Sequence, residues 1–65
     1  IPEAGYLSVK IYDISGKLVT NITNDYYLPN NYSFNWNASK VSSGLYIINA
    51  TLNNYTISYN ITLLK

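Results

Sequence analysis

Cysteine and histidine are both missing from this chain, so neither a disulfide nor a zinc site built on thiolate or imidazole can staple it. Charge is sparse as well: Lys10, Lys17, Lys40 and Lys65 stand against Glu3, Asp13 and Asp25, for a net charge of +1. No basic patch for nucleic acid or for an anionic membrane surface can be assembled from that set. No apolar run approaches the ~18 residues of a membrane-spanning helix, so membrane insertion is not expected. No signal peptide opens the sequence, and an extracellular module would be met here as a mature or excised segment.

The same scarcity removes most enzymatic chemistry. The three side-chain carboxylates fall in separate segments, with no pair suited to glycosidase acid and base work. Nucleophilic catalysis lacks its histidine or cysteine partner, and no glycine-rich loop is present to cradle a phosphate. A non-enzymatic protein is expected, with no catalytic, cofactor-binding or metal-binding residue and no cofactor. Asp13, placed before Ser15-Gly16, is expected to cap its own turn through side-chain hydrogen bonds.

What the chain has in abundance is asparagine beside hydroxyl residues. Six N-x-S/T sequons occur, at Asn21, Asn31, Asn37, Asn49, Asn54 and Asn60. Roughly two would arise by chance from the Asn, Ser and Thr content, an enrichment of about threefold. All six are candidate N-glycosylation sites, and covalent N-glycans with an extracellular or cell-surface location follow from that reading.

Alternation with period two runs through most of the rest. Leu7, Val9 and Ile11 alternate with Tyr6, Ser8, Lys10 and Tyr12, and residues 13–16 supply a turn before residues 17–23, a pattern that predicts a β-hairpin. Residues 24–31 have loop composition, and Tyr32, Phe34 and Trp36 then alternate with polar residues as a third strand, their row assigned to the core. Ser42-Ser43-Gly44 breaks the chain before a strand at residues 45–52. A tight Asn53-Asn54 turn then leads to a last strand in which Ile57, Tyr59, Ile61 and Leu63 alternate with Ser58, Asn60 and Thr62. No segment has helical periodicity. The expected fold is a single all-β domain over residues 1–65, a small Ig-like or fibronectin-III-like antiparallel β-sandwich of about five to seven short strands. In that frame Asn21, Asn37, Asn49 and Asn60 fall on polar strand faces, and Asn31 and Asn54 fall in loops.

Residues 2–19, with the "IYD-x-x-G" turn at Ile11-Tyr12-Asp13 and Gly16, resemble an immunoglobulin-like family. It is the one shared by type IX secretion C-terminal sorting domains and the flagellar hook-capping Ig-like domain. The likeness continues through Tyr32-Ser33-Phe34-Asn35-Trp36-Asn37 and Ser43-Gly44-Leu45-Tyr46 to Ile61-Thr62-Leu63-Leu64-Lys65, with order and spacing kept over nearly the whole chain. The resemblance implies a sandwich with a further strand ahead of residues 1–5, so one edge is expected to stand open for a donor strand, the β-augmentation mode. The sequon load is not a feature of that family.

A domain of 65 residues hides only about 60% of the surface its unfolded chain exposes. Without disulfides or metals, the expected sources of extra stability are glycans, copies of itself, or a neighbouring domain of the same parent protein. Tyr6, Tyr12, Tyr26, Tyr27 and Tyr55, on the alternate register or in loops, are candidate interface residues, because tyrosine gives contact area with little conformational entropy. The leading expectation is a structural module of a surface filament, pilus or surface layer, built by strand complementation. Two alternatives stand beside it: a C-terminal sorting or anchoring domain of a larger secreted protein, and a carbohydrate-binding module using Trp36 and Phe34.

Overall fold

In the computed structural model, which describes all residues from Ile1 to Lys65, four strands form: β1 (Gly5–Asp13), β2 (Leu18–Tyr27), β3 (Gly44–Leu52) and β4 (Tyr55–Leu63). They make one antiparallel sheet in the order β2-β1-β3-β4. There is no helix. Two hairpins, β1–β2 and β3–β4, meet along the β1–β3 seam, where Leu7 faces Leu52 and Asp13 faces Tyr46.

Both hairpin turns follow from their residues. Asp13 Oδ1 accepts from the backbone N–H of Ser15 at 2.9 Å, from Ser15 Oγ at 2.6 Å and from the Lys17 N–H at 3.0 Å. The Gly16 N–H reaches the Asp13 carbonyl at 3.0 Å, and Gly16 has φ +87°, a region open to glycine at no steric cost. The second turn needs only Asn53 and Asn54. Asn53 takes φ +52°, which asparagine tolerates better than other non-glycine residues.

The registers sort side chains cleanly between two faces. One face carries Leu7, Val9 and Ile11 of β1, Tyr46, Ile48, Ala50 and Leu52 of β3, and Tyr55, Ile57, Tyr59 and Ile61 of β4. The other carries Tyr6, Ser8, Lys10 and Tyr12 with Asn49, Thr51, Thr56, Ser58 and Asn60. Pairing between β1 and β2 shifts at Val9/Lys10 and again at Ile11/Tyr12. The first shift leaves Ile22 without an opposite residue and lets it line the apolar face, the usual effect of a bulge.

The expected sandwich of five to seven strands is replaced by a single open layer of four. Residues 32–37, expected as the third strand, cross the apolar face without joining a ladder. Their alternation gives them an extended habit, but no strand lies beside them to accept their hydrogen bonds. Residues 24–27 were expected in a loop and instead complete β2, with Tyr26 opposite Tyr6 and Tyr27 opposite Gly5.

The core is thin. Leu7, Ile11, Tyr46 and Leu52 are its only buried apolar side chains, and Ile11 alone is almost wholly enclosed, at 1% exposure. The accessible surface is 4818 Å², against about 4,200 Å² for a compact monomer of this mass. That excess lies with the uncovered part of the apolar face, where Tyr55, Ile57 and Tyr59 are each more than half exposed.

Candidate interaction surface

The apolar face is half covered. The connection from β2 to β3 passes over it as an arm, and Tyr32, Phe34 and Trp36 face Leu7, Val9, Ile11, Ile48, Ala50 and Tyr59 across a groove of about 500 Å³. Aromatic contacts anchor the arm at both ends. Tyr27 meets Tyr32 edge-on at 4.8 Å and Phe34 at 5.8 Å, and Trp36 meets Tyr46 edge-on at 5.3 Å, geometries that suit the ring quadrupoles. The Tyr32 hydroxyl donates to the Leu28 carbonyl at 2.6 Å, and the Tyr46 hydroxyl to the Ser42 carbonyl at 2.7 Å. Lys65 closes the arm's far end, with its Nζ donating to the Ser39 carbonyl at 3.0 Å and its N–H to Ser43 Oγ at 2.9 Å.

A second groove, of about 680 Å³, opens beside the first. Leu7, Ala50, Leu52, Ile57 and Tyr59 form its floor, and Ile1, Pro2 and Glu3 line its rim. The row expected as core is therefore core only in part: Trp36 is half-buried, whereas Tyr32 and Phe34 keep 38% and 39% exposure. Tyr32 and Phe34 line the groove with their ring planes 22° apart and their centroids 6.4 Å apart.

On the opposite face, Asn21, Lys10, Asn49 and Ser58 form one row across all four strands. Ser58 Oγ donates to Asn49 Oδ1 at 3.0 Å. Asn60 stands opposite Ile47 on the same face, so three strand sequons share one side of the sheet. Asn37, expected on a strand face, lies in the arm, where its Oδ1 accepts from the Ser39 N–H at 3.1 Å. Asn31 lies in the arm and Asn54 in the β3–β4 turn. Five of the six are exposed and Asn49 is half-buried. The bulge at Ile22 splits one sequon between faces: Asn21 sits opposite Lys10, while Thr23 sits opposite Val9 with its hydroxyl 2.6 Å from that of Tyr27.

The candidate interface tyrosines divide likewise. Tyr6 and Tyr26, both mostly exposed, pair edge-on at 5.3 Å on the polar face, where Tyr12 also lies. Tyr27 and Tyr55 belong to the apolar face, because Tyr27 pairs with Gly5 and the two-residue turn sets Tyr55 opposite Leu52. Sequence reasoning missed the exposure of Ile57 and Tyr59, which depends on β4 being the sheet's last strand. No cluster of three or more His, Cys, Asp or Glu is present to hold a metal ion. Asp13 is held below its ordinary value of 3.8 chiefly by the Ser15 hydroxyl and then by the Lys17 N–H.

A single antiparallel sheet with an aromatic arm over one face defines a small all-β domain. The chain belongs to the secretion system C-terminal sorting domain family, whose model matches residues 2–63. The type IX sorting-domain half of the resemblance is thereby established, and the flagellar hook-capping half gains nothing from it. The family places the parent protein outside the cell or at its surface. No curated protein and no solved structure matches the chain.

Proposed function

We propose that the chain directs a larger secreted protein through its secretion system, with the apolar grooves and the arm as the surface that the system reads. The family match over residues 2–63 carries this reading. Support also comes from the half-open apolar face and from Leu64, whose side chain is 85% exposed beside the tethered Lys65. Exposed apolar area of this extent on so small a protein marks an interaction site. Fusing residues 1–65 to a reporter in a bacterium with type IX secretion tests it: export to the surface or medium is expected, and retention of a folded fusion in the periplasm would sink the idea.

The arm supports a finer reading of the fold. Apart from the Ile1 ammonium donating to the Asn30 carbonyl, its one backbone–backbone bond is Val41 N–H to the Ala38 carbonyl, so the amides beside Tyr32, Phe34 and Trp36 have no ladder. A donor strand laid along the arm would satisfy them, cover the grooves and turn the open sheet into an Ig-like sandwich. The filament-building reading draws no support from the family match, which favours sorting. N-glycosylation rests on sequon exposure alone. Because Asn21 and Thr23 sit on opposite faces once β2 has formed, sugar at Asn21 would have to be added before folding. Intact-mass measurement of the secreted protein decides this, and an unmodified mass would leave the sequons as polar-face composition.

A further inference from the structure

The two edges of the sheet are not alike. β2 pairs irregularly with β1, carries Asp25, and is followed within two residues by Pro29. Each of these discourages a further strand. β4 has no such guard: its nine residues, YTISYNITL, include no charge, proline or glycine, and they pair with β3 without a register shift.

The hairpin fixes which of its backbone groups are free. A two-residue turn makes its flanking pair, Leu52 and Tyr55, the one that exchanges hydrogen bonds, and bonded and non-bonded pairs then alternate along the ladder. Tyr55, Ile57, Tyr59, Ile61 and Leu63 therefore bond to β3. Thr56, Ser58, Asn60 and Thr62 aim their N–H and C=O groups outward.

We infer that this edge pairs with the β4 edge of a second copy of the chain, antiparallel about a two-fold axis through Tyr59. In that register Thr56 faces Thr62 of the second copy and Ser58 faces Asn60, so every outward amide and carbonyl finds a partner. Moving the axis to Ser58 sets Thr62 opposite Asn54 in the turn, and moving it to Asn60 sets Thr56 opposite Leu64 beyond the strand. Only the Tyr59 axis uses the whole edge. It also sets Ile57 against Ile61, Tyr59 against Tyr59 and threonine against threonine, all favourable cross-strand pairs with no like charges opposed. Directly opposite residues point to the same face, so both apolar grooves open on one side of an eight-stranded sheet. The pairing goes beyond the sorting role: it uses the outward backbone groups of β4, while the side chains of Ile57 and Tyr59 also line the grooves assigned to sorting.

Single cysteines in this otherwise cysteine-free chain test the register directly. Tyr59→Cys brings two thiols together on the axis in a non-bonded pair, with Cα atoms ~4.5 Å apart, within disulfide reach. Asn60→Cys does not, because its opposite residue is Ser58. Under mild oxidation Tyr59→Cys is expected to cross-link at least tenfold faster than Asn60→Cys, and the unmodified chain to sediment as a dimer. Ser58→Pro removes an outward N–H that β3 does not use, and should give a monomer with its sheet circular dichroism intact. A monomer for the unmodified chain at millimolar concentration, equal cross-linking at both positions, or a dimer that survives Ser58→Pro would each overturn the pairing.

Discussion

The side chain of Asn53 occupies the space where a β-carbon on Gly5 would sit. Asn53 Nδ2 donates to the Ala4 carbonyl at 3.2 Å and its N–H to the Tyr6 carbonyl at 3.3 Å, so the β3–β4 turn is clasped to the start of β1. Gly5→Ala should therefore destabilise the chain by about 1–3 kcal/mol through overpacking. Adding Asn53→Gly clears the space and suits the positive φ, so the double variant should recover most of the loss in urea unfolding. Additive losses would show that the clasp is not the cause.

The Asp13 turn predicts an acid-sensitive contribution. The folded carboxyl is held below its ordinary value of 3.8, so this contribution is fully present above that value and is lost as pH falls through the lower folded value. Asp13→Asn keeps a capping side chain without the titration. The difference in denaturation midpoint between parent and variant should be constant from neutral pH to about pH 5 and shrink below about pH 4. A difference independent of pH would contradict the assignment.

Ile11 is the most enclosed of the four core side chains. Ile11→Ala should cost about 2–5 kcal/mol, whereas Ile14→Ala, in the turn and 72% exposed, should stay within about 0.5 kcal/mol. Thermal unfolding of the two variants makes the comparison. Similar shifts would mean that the thin core does not hold the sheet.

Trp36, the only tryptophan, reports on the arm. Contacts between the arm and the sheet run through side chains, while 26 backbone bonds hold the strands together. Trp36 fluorescence should therefore change at lower denaturant than far-ultraviolet circular dichroism, as expected of a locally opening segment. Trp36→Ala should lower stability by about 1–3 kcal/mol, less than for a fully buried tryptophan. Coincident transitions would make arm and sheet one cooperative unit.

These contrasts mark how far the sequence could be read. The alternation in residues 7–11, 45–52 and 57–63 located β1, β3 and β4, because period two is a local consequence of a strand with one buried face. The same alternation at Tyr32, Phe34 and Trp36 showed an extended segment but could not supply a neighbour, since pairing is a non-local property. Asn24 and Asp25 are poor strand formers taken alone, and the Tyr6–Tyr26 contact across the hairpin carries β2 past them. Tyr55, placed with residues on the alternate register or in loops, opens β4 opposite Leu52 and stays 68% exposed. The sequons were plain in the sequence, but the separation of Asn21 from Thr23 comes from a bulge that nothing local announces.

The seam between the hairpins has a kinetic consequence. Each hairpin can form from neighbouring residues, but the sheet exists only when Leu7 meets Leu52 and Asp13 meets Tyr46, contacts that close loops of about half to two-thirds of the chain. Folding should wait on that closure instead of on strand formation. Severing the chain within residues 28–43 would turn a unimolecular event into a bimolecular one, and the two fragments would regain the sheet at a rate set by their concentration.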